Sequence, residues 1–289
     1  MNLFLRSVGF KGYTAEEEDS LVRRVISAGI KSDKLFRNDK HGKAMIVYAT
    51  SVSAGIAVYG HMSKARFVYD THFPYLSSNR SVNEKEIVVF KNLTSESFCA
   101  ISEGDREVPR MFFITNPLDV LFDIDHQNQE GESDYETEGD GALRHMMLKD
   151  VNVSYSGMAI AASVLLAAYD KKKFFKEPAD SGLQFTNRIK KEEKPAVSNA
   201  KRAEKEDVLS IVDTHIYPGG NSGDSFVVLG NIVGLREEEN MITGQTFYIM
   251  TLQANNETLD VAVNKTDVIG EPRVGRRFNA RMWLHGYVR

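Results

Sequence analysis

The chain has a single cysteine, Cys99, among 289 residues. One thiol excludes an intrachain disulfide framework and a zinc site built on several cysteines. No apolar run approaches the roughly 20 residues that a membrane-crossing helix needs. Met1-Asn2-Leu3-Phe4-Leu5-Arg6 meets a charge too early for the apolar core of a secretory signal. The phosphate-loop pattern GxxxxGK[ST] and a strand-linked GxGxxG are missing, as are the His-x-x-x-His and His-Glu-x-x-His spacings of helical zinc sites. These absences point to a reducing, cytoplasmic setting, away from any membrane. They leave no motif for a metal, a cofactor or a catalytic centre.

What is present suits a folded chain. Hydrophobic residues make up 42% and charged residues 26%, values at which a sizeable core can form. The length corresponds to two domains or one large one. Net charge is -4 and unevenly spread. Residues 123–170 hold 2 basic and 10 acidic side chains, and residues 171–206 hold 11 basic and 6 acidic. An acidic whole offers no long-range attraction to a polyanion, so nucleic-acid binding would need a local basic face.

Thr14-Ala15-Glu16-Glu17 has capping-box spacing, and Leu21, Val22, Val25 and Ile26 follow on one helical face. A helix is expected over about 15–28, ended by Gly29. Short apolar strands follow at 44–49, 55–61 and 67–73, the last stopped by Pro74, then at 87–91, 97–102 and 111–115. Between Asp123 and Asp140 there are 8 acidic residues and no Lys or Arg, which reads as a solvated loop. Its opening, Asp123, Asp125 and Gln127, loosely echoes a calcium loop, but the required Gly and Glu positions hold Asn128 and Asp134. Val151, Val153 and Tyr155 alternate as a strand, and Gly157 before Met158–Ala168 suggests a hairpin.

From Asp207 the texture is β again. Gly230 and Gly234 sit where the first long strand can coil or bulge. Glu237–Asn240 reads as a polar turn. Strands at 246–253 and 258–264 follow, and a Gly/Pro-rich connection leads to a last strand at 278–288. This order resembles an oligonucleotide/oligosaccharide-binding (OB) barrel, which needs five strands; a fifth would have to come from Val208–Tyr217. The expected fold is thus α+β: an N-terminal antiparallel sheet with a helix over 1–170, a charged linker with a short helix over 171–206, and a small OB-like β-barrel over 207–289.

Alternation in the last strand places Arg281, Trp283, His285, Tyr287 and Arg289 on one face, with Arg273, Arg276 and Arg277 just upstream. Cations interleaved with aromatics bind single-stranded nucleic acid, the rings stacking on bases and the arginines neutralising phosphates. Large aromatics equally well pack in a core or an interface. Trp283 and Tyr287 would then pack on the N-terminal part, with the arginines pairing to Glu237–Glu239 or to the acidic loop. Gly220-Asn221-Ser222-Gly223 is similar to the nucleophile loop of trypsin-like proteases. Neither His41, His61 nor His72 has the matching context, and Asp224 follows where a second Gly is needed; a polar loop accounts for these residues. Cys99 reads as a small apolar filler in a strand.

Phe4-Leu5-Arg6-Ser7-Val8-Gly9-Phe10, Phe73-Pro74-Tyr75, Glu206–Thr214, Gly270–Phe278 and Trp283-Leu284-His285-Gly286-Tyr287 resemble a clostridial domain-of-unknown-function family of similar chain length. The resemblance covers essentially the whole chain, least in residues 123–205. It implies a bacterial, cytoplasmic protein and no catalytic residues. The resulting expectation is a non-enzymatic binding or scaffold protein with another protein as partner. Single-stranded nucleic-acid binding through Arg277, Arg281, Trp283 and Tyr287 is the alternative.

Overall fold

The computed structural model describes residues 2–91, 97–103, 109–129, 146–167, 213–219, 223–255 and 257–289. The first helix forms as its cap requires. The Thr14 hydroxyl accepts from the Glu17 N–H at 3.3 Å and the Glu17 carboxylate from the Thr14 N–H at 2.8 Å, satisfying two otherwise free donors. Helix α1 (Ala15–Lys31) runs past Gly29. That glycine is a packing residue, since a Cβ there would meet Ile46 Cγ2 at 2.4 Å.

Strands β1 (Leu35–Asn38), β2 (Lys43–Ala49), β3 (Ala54–Ser63) and β4 (Arg66–Leu76) form an antiparallel meander in the order of the chain. Pro74 does not stop β4. Among the described residues this edge strand pairs with β3 alone, and the Ser77 N–H bond to the Ser53 carbonyl sets a register in which position 74 faces the open edge, so the missing N–H costs no ladder bond. Both faces of the meander are covered. Ile46, Ile56 and Val58 share an apolar cluster with Leu21, Val22 and Val25 of α1. Met45, Ala57, Tyr59 and Phe73 belong to the larger cluster built on the second sheet.

The second sheet contains β5 (Val82–Lys91), β6 (Phe98–Ser102), β7 (Arg110–Ile114), β8 (Met146–Ala167), β9 (His215–Pro218), β10 (Ser225–Glu239), β11 (Thr246–Ala254), β12 (Glu257–Asn264), β13 (Val268–Ile269) and β14 (Arg276–Val288). Its path, β11-β12-β8-β5-β6-β7-β14-β10-β9, closes twice, because β10 also pairs with β11 and β8 also pairs with β14. One ring of pairings is β8, β5, β6, β7, β14; the other is β8, β12, β11, β10, β14. The antiparallel pair β8–β14 is the seam common to both.

Several expectations are corrected here. Residues 207–289 do not form a small OB-like barrel of their own, because the ring containing β10, β11, β12 and β14 is completed by β8, which lies before residue 171. Residues 146–167 are one 22-residue strand, not a hairpin. Gly157 leaves space that Met282 fills, its sulfur 2.6 Å from where a Cβ would stand. Residues Glu237–Glu239 continue β10, and the chain turns after Asn240. Helix α2 (Pro117–Gln129) takes up the start of the acidic segment, and Asp125 on it meets Lys40 Nζ at 2.6 Å and His41 Nε2 at 3.0 Å. The expected bulge near Gly234 is present, as a register shift between Ile232 and Gly234. The linker 171–206 with its short helix, the loop residues 130–140, and Gly220–Ser222 lie outside the described residues.

The N-terminal segment ties the two sheets together. A 3-10 turn, Leu3–Val8, ends at Gly9 with φ 89°, and a Cβ there would lie 2.6 Å from Asn240 Cβ. Asn240 Nδ2 donates to the Val8 carbonyl at 2.7 Å, so this close approach needs glycine. Arg6 and Lys11 both reach Asp267 at 2.7 Å.

Candidate functional site

Strand β14 carries the residues singled out from the sequence, and the fold treats its two faces differently. Phe278, Ala280, Met282, Leu284 and Val288 turn into the large cluster. Gly286 lies among them because Phe112 occupies its face, 2.3 Å from a built Cβ.

The opposite face is also covered over its middle. Trp283 is 8% exposed; its ring stacks on Phe4 at 4.8 Å, tilts against Phe113 at 4.7 Å, and its Nε1 donates to Asp224 Oδ2 at 2.7 Å. His285 is 1% exposed and lies edge-on to Trp283 at 4.0 Å. Among the described residues neither of its ring nitrogens has a hydrogen-bond partner, and burial lowers its pKa to about 3. Phe113 also contacts Phe73 of β4 at 4.7 Å, so this part of β14 is the seam between the sheets.

Three of the four candidate arginines have acidic groups near them. Arg277 is buried, and burial lowers its pKa against the raising effect of Asp213. Arg273 pairs with the Glu271 carboxylate, while Arg276 lies 3.7 Å from that carboxylate and donates to the Glu271 carbonyl at 3.0 Å. Arg281 is exposed. Of the seven residues, Arg273, Arg276, Arg277, Arg281, Trp283, His285 and Tyr287, it is Tyr287 that lines the main cleft found among the described residues.

That cleft, of about 480 Å³, lies between the first sheet and the joint of α2 with the end of β14. Met45, Val47, Leu76 and Leu118 make its apolar walls, with Phe36 at its margin. Asn116 builds the joint. Its Nδ2 donates to the Val288 carbonyl at 2.7 Å and its Oδ1 accepts from the Val288 N–H at 2.9 Å, so the side-chain amide stands in for a neighbouring strand. The next residue, Pro117, is preorganised for the first helical position and has no N–H to leave unsatisfied.

Four polar groups, from β4, α2, β14 and the residue after β14, converge here. Asp119 Oδ2 accepts from Asn116 Nδ2 at 3.0 Å and from the Tyr287 hydroxyl at 3.3 Å. Burial raises the Tyr287 pKa, and the Asp119 charge adds to it. The Arg289 guanidinium sits over the Tyr287 ring at 5.1 Å. Tyr75, on β4, is pushed up to about 12 by burial. Sequence reasoning placed Tyr287 and Arg289 on one face but missed Tyr75 and Asp119. Tyr75 had a signal in Phe73-Pro74-Tyr75; Asp119 had none.

Among the described residues, no helix is long and apolar enough to cross a membrane. No curated protein and no solved structure matches the chain. A family model does, over residues 5–286: DUF3881, a domain of unknown function with an E. rectale gene description. The clostridial resemblance read from the sequence is therefore real, and the chain belongs to the DUF3881 family.

Proposed function

We propose that the protein is a non-enzymatic binding protein and that the cleft beside Tyr287 receives a compact, largely apolar group. The observation that carries this reading is the convergence of Tyr75, Asp119, Tyr287 and Arg289 on an apolar cleft of about 480 Å³. Ligand sites are typically concave and apolar, with a few polar groups that fix orientation, in volumes of roughly 300–1,000 Å³. The polar groups suit binding better than proton transfer. A phenol at about 12 stays protonated at neutral pH and serves as a hydrogen-bond donor. Asp119 is already engaged by two donors. The protein partner expected from the sequence would supply the bound group as an inserted side chain, entering past Phe36. Single-stranded nucleic acid on β14 has weaker support, since Trp283 is spent on Phe4 and two of the arginines on Glu271.

The test is NMR on protein labelled at the methionine methyls, titrated with side-chain mimics: p-cresol, indole and isovaleramide. Met45 lines the cleft and is the reporter. Saturable shifts at Met45, abolished by the cleft-filling Ser77→Trp, are expected for at least one mimic. Shifts at other methionines with Met45 unmoved would remove the cleft from consideration.

A further inference from the structure

A second constellation, independent of the cleft, lies on the edge strand β4. Tyr59 of β3 pairs with Thr71 and Gly60 with Tyr69, so Asp70 is an extra residue in the ladder. Such a bulge breaks strict alternation and re-aims side chains. It brings Tyr69 and His72, three residues apart, within reach of each other: the Tyr69 hydroxyl is 2.8 Å from His72 Nδ1. On its other side, His72 Nε2 is 3.0 Å from Glu18 Oε1. Glu18 is buried on α1 and also accepts from the Asn2 N–H at 2.7 Å.

The proton positions follow from chemistry. An ionised carboxylate only accepts, so Nε2 carries the hydrogen that points at Glu18. In the neutral ring Nδ1 then holds a lone pair, and the Tyr69 O–H donates to it. A hydroxyl on a base whose far nitrogen is fixed by a buried carboxylate is the arrangement that activates a nucleophile.

We propose that Tyr69 is a modification site: a nucleophilic hydroxyl that takes an acyl group from activated esters, with His72 as general base and Glu18 as its positioning residue. In the step, Tyr69 Oη bonds to the ester carbonyl carbon. The bond from that carbon to the leaving oxygen breaks, and its electron pair departs with the leaving group. The phenolic proton passes to His72 Nδ1 and from there to the leaving oxygen. The products are the tyrosyl ester and the free alcohol or phenol. Burial raises the Tyr69 pKa, helped by the charges of Glu18 and Asp19, so the phenol is neutral at rest and needs the base as it reacts. Burial is also the largest influence on His72, lowering its pKa, joined by the amino-terminal charge and opposed by Glu18 and Asp19; the ring is thus neutral, and basic, at pH 7.

The molecule supplies its own control. Tyr69 is 44% exposed and Tyr217 is 45% exposed, so access alone would label them equally. Full-length protein is treated with p-nitrophenyl acetate, and acetylation at each site is timed by peptide mass spectrometry. Tyr69 is expected to label at least about tenfold faster than Tyr217. Its rate should level off at a lower pH than an ordinary imidazole would set, as His72 loses its proton, whereas a phenol with no paired base keeps accelerating as pH rises. His72→Gln should bring the ratio to about 1, and Glu18→Gln, which keeps an acceptor for Nε2–H, should give an intermediate value. Equal labelling of the two tyrosines, a common continuing rise with pH, or acetylation confined to lysines would overturn the proposal. If neither variant folds, the wild-type ratio and pH profile still decide it.

Discussion

The middle and the end of β14 differ in use although they share one strand and one alternation. Trp283 and His285 are sealed between the sheets, while Tyr287 and Arg289, two and four residues on, border an open cleft. An aromatic ring does not separate them, since each pair holds one. Coverage does: Phe4 and Phe113 roof Trp283, but near Tyr287 the first sheet and α2 stand apart. The sharpest way to break the comparison is to truncate one ring in each part. Trp283→Ala should cost about 3–5 kcal/mol, the range for a large aromatic in a packed core. Tyr287→Ala should cost clearly less. Urea unfolding of both variants measures the gap, and equal losses would mean that the end of the strand is as tightly covered as its middle.

His285 sharpens the contrast through pH. Its folded pKa is about 3, from burial, against about 6.5 unfolded. Between those values the unfolded chain binds a proton that the folded chain refuses. The contribution is therefore fully present above about pH 6.5 and is lost as pH falls toward 3. From pH 7 to pH 5 the loss should be about 2 kcal/mol. His285→Leu removes the titration together with two buried nitrogens that have no partner among the described residues. The variant should match or exceed wild type at pH 7 and hold a growing advantage down to pH 5. An unchanged difference between the two pH values would show that the imidazole reaches water.

Much of the local structure was legible because local rules decide it. The Thr14–Glu17 box and the Leu21, Val22, Val25 stripe needed only neighbours in sequence. Strands with clean alternation, such as the one expected over 258–264 and found over Glu257–Asn264, were equally plain. Two of the misreadings share a cause: a residue that looks like punctuation was serving a distant contact. Gly29 makes room for Ile46 and Gly157 for Met282, neither of which a local window contains. For β14, alternation told correctly which residues share a face but could not tell which face would be roofed, since the roof includes Phe4 at the far end of the chain. One signal was available and unused. Glu18 precedes Leu21, Val22 and Val25 at helical spacing, so a carboxylate stood on the apolar face of α1, where a buried partner such as His72 is to be expected.

The smallest expected effect probes the open end of the strand most directly. Tyr287→Phe removes one hydrogen bond of 3.3 Å to Asp119 and leaves the ring beneath Arg289. The site is part exposed, so water can replace the lost donor, and stability should change by no more than about 1 kcal/mol. The effect on the cleft should be more visible than the effect on folding. Asp119 loses one of its two donors and becomes a free acceptor facing the cleft, so p-cresol, which can donate, should gain affinity relative to toluene. The ratio of the two affinities, read at the Met45 methyl in wild type and variant, isolates that one hydrogen bond. A ratio that does not move would place the ligand's polar end elsewhere, at Tyr75 or Arg289, and would divide the cleft into a used and an unused side.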